Sequence, residues 1–238
     1  MEIERLAANY KIDQAGIDIV RGAKTVFIVG ITSAGKDTIV RKLLESPDYH
    51  QIVSHTTRAP RTNNGIMESD GLDYHFVSRD QMAELLSGHK MIEVNCFGGN
   101  YYGTSVGELD EASRDDKIAI SDIDINGISS FYDIAPNSVT AIFIVPPDYE
   151  TWLQRVKNRY ESIESFERDW RTRREIAISE LEHVLSVPHY HFIINDDLTR
   201  AVKITDKIAH HENNIYGRGD DEARLIARDL LEAIKRTI

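Results

Sequence analysis

The chain has 238 residues, of which 28 are Lys or Arg and 39 are Asp or Glu, so its formal net charge is −11 at pH 7. Hydrophobic residues make up 41% of it and charged residues 28%, values that are typical of globular proteins and exclude wholesale disorder or a collagen-like repeat. The acidic balance argues against broad electrostatic binding to nucleic acid or to a membrane surface. If the chain binds an anion, a local group of cations must hold it.

The location of the protein is predicted from what its sequence lacks. The start, MEIERLAANYKIDQ, does not have the basic and then apolar layout of a secretory signal. No stretch approaches the roughly 18 apolar residues that a membrane span needs. Cys96 is the only cysteine, so an intrachain disulfide is impossible and the residue is expected to pack as a small apolar group. We therefore expect a cytoplasmic protein.

Short apolar runs alternate with helical patterns along most of the chain. Ile3, Leu6 and Tyr10 mark one face of an N-terminal helix, which an irregular stretch is expected to follow. The remaining patterns predict buried strands at 25–29, 118–120, 141–145 and 192–194, and helices at 36–45, 127–132, 148–159, 166–186 and 198–211. Such alternation indicates an α/β fold, a mostly parallel sheet with helices on both faces.

Two regions depart from this alternation. Residues 50–104 carry short strand patterns at 52–53, 74–77 and 91–97 and one helix that begins at Ser78, where Gln81 completes a capping-box pattern. They are predicted to form a small α+β insertion. At the other end of the chain, a terminal amphipathic helix is predicted from the spacing of Leu225, Ile226, Leu230, Leu231 and Ile234.

The first strand pattern is followed by GITSAGKDT, which fits the Walker A layout G-x-x-x-x-G-K between a strand and a helix. Backbone N–H groups of such a loop and the helix N-terminus bind phosphate oxygens, and the lysine reaches the outer phosphates. The predicted ATP-binding residues here are Gly30, Ser33, Ala34, Gly35, Lys36, Asp37 and Thr38.

The residue after the lysine departs from the Walker pattern. Ser or Thr normally stands there and its hydroxyl binds Mg²⁺, whereas this chain has Asp37. Thr38 cannot replace it, because one residue turns a helix by about 100°. We expect Asp37 to face the metal, directly or through water, with help from Asp122 at the end of a strand. Asp124, two residues on, is expected on the same face.

The inserted region has residues suited to a second anion and a base. Arg58 and Arg61 are three residues apart and can clamp a phosphate, with the phenols of Tyr74 and Tyr102 donating to its oxygens. Glu93 offers two acceptors that match the N1–H and N2–H₂ donors of guanine. Ser54 and Thr104 can donate to the guanine O6. Taken singly, each of these side chains is equally compatible with an ordinary solvated or half-buried position.

Taken together, the motifs resemble the guanylate kinase family over roughly residues 24–211. The matching runs, in the family's order, are the phosphate loop, SHTTRAPR, DYHFVS, GNYYGTS, DIDxxG, an arginine-bearing lid and INDDL. The resemblance implies a P-loop nucleoside monophosphate kinase fold and transfer of the ATP γ-phosphoryl group to GMP, which gives ADP and GDP. It leaves open whether dGMP is also an acceptor.

The resemblance also implies roles and regions. The implied GMP contacts are Ser54, Arg58, Arg61, Tyr74, Glu93, Tyr102, Thr104 and Asp124. Lys36 and Arg58, with the lid arginines Arg155, Arg159 and Arg173, are implied to act on the transferring group, and Asn195 lies on the adenine side. The implied regions are a core (24–49 and 105–211), a GMP-binding region (about 50–104) and a helical lid (about 155–173). Residues 1–23 and 212–238 lie outside the resemblance and are predicted to be helical extensions.

Four features depart from the family pattern. Asp37 replaces the usual Ser, Ser33 stands where a glycine is common, and Asn126 stands for the usual glutamine. The connection between Arg61 and Tyr74 is also a few residues longer than is typical. These departures bear on metal binding, on the phosphate loop and on the monophosphate site.

Two other functions remain open at this stage. An Asp after the Walker lysine also resembles ribose bisphosphokinases, although Glu93 and the tyrosine pair argue against a sugar phosphate. A non-catalytic guanylate-kinase-like module would use the monophosphate pocket to bind a peptide or phosphopeptide. Such modules typically lose the phosphate-loop lysine or the lid arginines, all of which this chain keeps.

Overall fold

The computed structural model describes residues 2–63, 65–123, 125–211 and 217–237. They fall into two compact units. The first is formed by Met1–Thr25, Pro47–Ser121 and Asn126–Val139, and the second by Val26–Ser46, Asp122–Ile125 and Thr140–Ile238. Among the described residues, no helix combines the length and the apolar character that a membrane crossing requires.

The first unit contains two kinds of sheet pairing. Its β9 runs parallel to β2, with Tyr49 opposite Ile118. A separate four-stranded sheet has the order β6-β3-β8-β7, in which β3 is parallel to β6 and antiparallel to β8, and β7 is antiparallel to β8. The strands are β2 (Tyr49–Gln51), β3 (His55–Thr56), β4 (Thr62–Asn63), β5 (Ile66–Met67), β6 (His75–Phe76), β7 (Met91–Phe97), β8 (Asn100–Ser105) and β9 (Ile118–Asp122).

The helices of this unit pack against one another and against its strands. Its helices are α1 (Glu2–Ala8), α2 (Gln14–Gly22), α4 (Arg79–Ser87), α5 (Val106–Arg114) and α6 (Ile125–Ile134). Ile3 of α1 is buried against Met82 and Leu86 of α4, with Leu6 and Tyr10 packed beside it, as the helical spacing predicts. The predicted capping box is also present, because Ser78 N donates to Gln81 Oε1 over 2.7 Å and Gln81 N donates to Ser78 Oγ over 3.1 Å.

The second unit holds the strands of the predicted parallel core. They have the order β11-β10-β1, and β10 is parallel to β11 from Ala141–Tyr190 to Val145–Ile194. Every residue of β10 and all but the first of β1 are buried, which agrees with their continuous apolar runs. The elements are β1 (Lys24–Val29), α3 (Lys36–Leu43), β10 (Val139–Val145), α7 (Tyr149–Lys157), α8 (Ile163–Ser186), β11 (Tyr190–Ile194), α9 (Leu198–Ala209) and α10 (Gly217–Arg236).

The predicted α/β class is confirmed, but several details are wrong. The strand expected at 52–53 lies at Tyr49–Gln51, and only one further ladder bond, from Ile52 N to Ile120 O at 2.9 Å, extends past it. Helix α2 occupies the stretch expected to be irregular, and α5 was not predicted. The side chain of Leu225 is 57% exposed rather than buried, and Cys96 is exposed because the far half of β7 projects into solvent.

Candidate active site

The predicted phosphate loop of the second unit lies between β1 and α3. Two of its glycines are required by the backbone. Gly30 has φ 153° and a Cβ there would meet the carbonyl oxygen of Ile144 at 2.7 Å, while Gly35 has φ 100° and a Cβ would collide with the Asn195 amide. Lys36 Nζ donates to the Gly30 carbonyl over 2.5 Å, so its amine is held over the loop.

Ser33 occupies the position where the family commonly has glycine. Its φ is 62°, in the left-handed region that L side chains rarely adopt. Its hydroxyl oxygen is buried and has no hydrogen-bond partner among the residues that the structure describes. The backbone therefore keeps the glycine-like conformation although the residue has a side chain.

A cavity of about 700 Å³ opens beside the loop, and all of its lining residues belong to the second unit. It brings together Lys36 and Asp37 of α3 with arginines of the predicted lid. The predicted residues that line it are Ser33, Gly35, Lys36, Asp37, Thr38, Arg155, Arg159, Arg173 and Asn195. Ala34, another residue of the loop, is fully buried.

The three arginines of the predicted lid donate hydrogen bonds to uncharged oxygen atoms. Arg155 donates to the Asn195 carbonyl over 3.0 Å, Arg159 to Thr32 Oγ1 over 3.3 Å and Arg173 to the Tyr160 hydroxyl over 3.2 Å. Within the described part of the chain, none of the three makes an ion pair with a carboxylate. Their positive charge therefore remains available to an anion in the cavity.

Two buried residues fix the loop. Asn195, which is 6% exposed, donates from Nδ2 to the Ala34 carbonyl over 2.8 Å and from its backbone N–H to the Val145 carbonyl over 2.8 Å. The fully buried Trp152 donates from Nε1 to the Thr32 carbonyl over 2.9 Å. The phosphate loop is thus tied to the end of β11 and to α7.

Asp37 and Asp122 form the carboxylate pair that the sequence predicts. Asp122 is exposed, yet protein atoms crowd the surroundings of its carboxylate. This crowding raises the pKa of Asp122, the negative charge of Asp37 raises it further, and Lys36 lowers it. Within the described residues no group of three or more His, Cys, Asp or Glu side chains could hold a metal ion. Two carboxylates next to a phosphate site do suit Mg²⁺, which is usually held by one or two carboxylates, substrate phosphates and water.

In the first unit, Arg58 is buried and paired with Glu68. Its Nη1 lies 2.7 Å from Glu68 Oε2 and its Nη2 lies 3.1 Å from Glu68 Oε1, with both side chains at most 10% exposed. Glu68 Oε2 also accepts the backbone N–H of Arg61 over 2.8 Å. The hydrogen bond with Glu68 raises the pKa of Arg58, and Tyr102 contributes to the rise.

The two predicted tyrosines lie beside this guanidinium. Arg58 Cζ is 5.2 Å from the centroid of the Tyr74 ring, and the Tyr74 and Tyr102 rings meet edge to face with centroids 6.1 Å apart. The structure therefore brings three of the predicted phosphate ligands into one group.

The predicted base reader lies on the same sheet. Glu93 of β7 is opposite Thr104 of β8 in the strand register. It is 8% exposed, accepting from Thr104 N at Oε1 over 2.9 Å and from Asn95 Nδ2 at Oε2 over 2.7 Å. These bonds fix the orientation of the carboxylate and stabilise its charge.

The structure gives less information on the remaining residues that are predicted to contact GMP. Ser54 precedes β3, and its carbonyl accepts from His75 N over 2.9 Å. His75 is in turn bonded to Glu108, with 2.9 Å between His75 Nε2 and Glu108 Oε1. The side chain of Arg61 is exposed. Asp124 and the side chain of Asn126 lie outside the described residues.

With this geometry in hand, comparisons with known proteins identify the family. The model of the guanylate kinase family matches residues 22–212. The guanylate kinase of Schizosaccharomyces pombe is 34% identical over 78% of this chain and 89% of its own length, and that of Maricaulis maris is 32% identical over 82% and 87%. The crystal structure of guanylate kinase from Anaplasma phagocytophilum matches with a TM-score of 0.58 and 26% identity, covering 81% of this chain and 88% of the other.

The chain belongs to the guanylate kinase family. The predicted resemblance, the nucleoside monophosphate kinase fold and the assignment as a phosphotransferase are therefore confirmed. The relatives and the solved structure reported above are guanylate kinases, so they support the first of the three functions that the sequence left open.

Sequence reasoning missed several residues that organise this guanylate kinase site. Glu68 is the most important, and the signal for it was the lengthened connection between Arg61 and Tyr74, which had to fold back on the arginines. Asn95 could have been found from its spacing, since residues two apart on a strand share a face with Glu93. Trp152 and Tyr160 gave no local signal, because their partners are 120 and 13 residues away.

Proposed function

We propose that the phosphate-loop cavity of the second unit binds ATP, that the arginine–tyrosine group of the first unit binds GMP, and that the chain catalyses ATP + GMP = ADP + GDP. The observation that carries this proposal is the cavity of about 700 Å³ in which Lys36 and three arginines surround the phosphate loop. That number of cations suits a polyphosphate.

On the ATP side, each cation has a distinct place. Lys36 and the loop N–H groups would bind the β- and γ-phosphates. Arg155, Arg159 and Arg173 would neutralise the charge that spreads over the equatorial oxygens as the bond from the γ-phosphorus to ADP breaks and the bond to a GMP phosphate oxygen forms. The acceptor phosphate is already anionic at neutral pH, so the step needs no general base and no covalent intermediate.

On the GMP side, recognition divides between phosphate and base. Arg58, Arg61, Tyr74 and Tyr102 would bind the monophosphate. Glu93 would accept from guanine N1–H and N2–H₂, with Thr104 and Ser54 near O6. Asp124 would be a further contact to GMP. Adenine has no such donor pair, so a carboxylate at this position selects guanine.

Asp37 and Asp122 would hold Mg²⁺. When bound, the ion would supply positive charge that lowers the repulsion between the donor and acceptor phosphates. In this chain a carboxylate at position 37 replaces a neutral hydroxyl, so we propose a direct or water-mediated bond from Asp37. Asp37→Ser should change the Mg²⁺ concentration needed for half-maximal turnover, and an unchanged Mg²⁺ dependence would contradict this role.

The acceptor can be identified with a coupled assay of ADP release in which GMP, dGMP, AMP and ribose bisphosphate are compared. We expect turnover with GMP, none above background with ribose bisphosphate, and little with AMP. Lys36→Met serves as the inactive control. Preference for the sugar phosphate would favour a ribose bisphosphokinase, and tight GMP binding without any turnover would favour a binding module. A cytoplasmic location remains a proposal that agrees with these nucleotide substrates.

A further inference from the structure

Helix α10 lies beyond the residues 22–212 that match the family model, yet it packs on elements of the ATP cavity. Its apolar face is buried in the second unit, against α8, β11 and α7. The buried residues of this face are Ala223, Ala227, Leu230, Leu231 and Ile234. The helix is therefore part of the folded unit that binds ATP.

One end of α10 completes the open edge of β11, the last strand in the order of its sheet. Phe192 N donates to Asp220 Oδ1 over 2.6 Å, and Arg224 donates to the Tyr190 carbonyl. Asp220 Oδ2 accepts from Arg224 Nε over 2.6 Å, and the guanidinium carbon lies 4.2 Å from the centroid of the Phe192 ring. Side chains of α10 thus make the bonds that a further strand would make.

The other end of α10 is attached to the lid helix α8. Arg174 Nη1 donates to the Thr237 carbonyl over 2.5 Å, and Lys235 Nζ lies 2.8 Å from Glu182 Oε1. Arg174 directly follows Arg173, whose guanidinium lines the cavity. A shift of α8 along α10 would therefore move Arg173 with it.

The attachments of α10 to β11 and to α8 both involve elements that carry residues of the phosphate-loop cavity. Asn195 directly follows the last residue of β11, donates to the Ala34 carbonyl and accepts a hydrogen bond from Arg155 at its own carbonyl. We propose that α10 is a positioning element of the ATP cavity, with the Asp220–Arg224 pair setting the place of Asn195 and the C-terminal end setting the place of Arg173. The proposal rests on the assignment of this cavity to ATP, and it predicts an effect on ATP and not on GMP.

The test is Arg224→Ala in the full chain, with the exposed Arg228→Ala on the same helix as the matched control. We expect the KM for ATP to rise about fivefold in the first variant, a size typical of substitutions that act on a site through intervening structure. The KM for GMP at saturating ATP should stay within about twofold, and the control should match the parent. A purely structural role would lower the unfolding midpoint and the active fraction but would leave KM unchanged.

An unchanged KM for ATP in folded Arg224→Ala protein, or an equal rise for both substrates, would overturn the proposal. Calorimetric titration with a non-hydrolysable ATP analogue separates this outcome from failure of the proposed function, because it needs no acceptor. If Arg224→Ala does not fold, the pair Glu182→Lys and Lys235→Glu decides: each single change should weaken binding of the analogue about twofold and the double change should restore it. No change in the single variants would then overturn the proposal.

Discussion

The arginines of the proposed ATP cavity and the arginine of the proposed GMP-phosphate site have partners of different charge. Arg155, Arg159 and Arg173 donate to a carbonyl and to two hydroxyls, whereas Arg58 shares two hydrogen bonds with the carboxylate of Glu68. Burial explains the difference. Arg58 is 8% exposed and needs a counter-charge in the free protein, while Arg159 is exposed and needs none.

The charge of an arginine's hydrogen-bond partner also matters for catalysis. A neutral partner orients a cation without cancelling its charge, which suits groups that must neutralise a transferring phosphoryl group. A carboxylate partner fixes the orientation of the Arg58 guanidinium, which also donates to the Ala59 carbonyl, while two of its five N–H donors remain for other acceptors. The proposed ATP cavity would therefore keep its charge for the reaction, and the proposed GMP site would keep its geometry for recognition.

The largest expected effects come from replacing one arginine in each of the two regions. Arg58→Ala leaves the buried Glu68 carboxylate without its cationic partner and should lower the free energy of unfolding by about 3–5 kcal/mol. Arg159→Ala removes an exposed side chain and should change it by less than about 0.5 kcal/mol, while kcat falls roughly 10²-fold. Urea unfolding and steady-state kinetics on both variants check this. Equal losses of stability would show that the two regions do not differ as described.

Base selection should give the next largest effect. Glu93→Gln removes the charged acceptor while keeping the shape of the side chain, so kcat/KM for GMP should fall by the equivalent of about 1.5–3 kcal/mol. The KM for ATP should not change. Glu84→Gln, an exposed substitution in the same unit, is the control. An unchanged kcat/KM for GMP would remove Glu93 from the base site.

The sequence predicted what depends on local patterns. The phosphate loop has its chemistry in seven consecutive residues, and β7 lies at the predicted 91–97 because its strand pattern is continuous. The pair of Arg58 with Glu68 depends on how the lengthened connection folds, through β4 and β5, and no local pattern specifies this. The exposure of Leu225 was missed for a related reason, since only tertiary packing decides which part of an apolar face of α10 is covered.

Glu68 offers a smaller test of the same comparison. Glu68→Gln keeps one acceptor oxygen for Arg58 but removes the negative charge that fixes the orientation of the guanidinium. The KM for GMP should therefore rise about tenfold, equivalent to about 1.4 kcal/mol. The KM for ATP should remain within error. Tighter GMP binding in this variant would mean that Glu68 competes with the phosphate and does not orient the arginine.

The smallest expected effect concerns acid sensitivity of the first unit. Burial lowers the pKa of His55 to about 4, and the positive charge of the neighbouring His75, whose ring centroid lies 4.6 Å away, contributes. An unfolded histidine titrates near 6.5. Between about pH 6.5 and pH 4 the unfolded state therefore binds a proton that the folded state does not, and stability falls as the pH falls.

Between pH 7 and pH 5, the free energy of unfolding of His55→Asn should fall by about 1 kcal/mol less than that of the parent. His89→Asn is the control, because His89 is exposed and asparagine tolerates its φ of 53°. Urea unfolding at the two pH values measures the difference. An identical pH dependence in the parent and in His55→Asn would exclude His55 as its source.

Transfer of the phosphoryl group from the donor site to the acceptor site is tested most directly by following that group itself. Phosphorus NMR of the purified chain with Mg²⁺, GMP and ATP labelled at the γ-phosphate should show the label in the β-phosphate of GDP, at a rate that Lys36→Met abolishes. Label that appears only in inorganic phosphate, or that stays in ATP while GMP is bound, would contradict the assignment of the two regions to donor and acceptor.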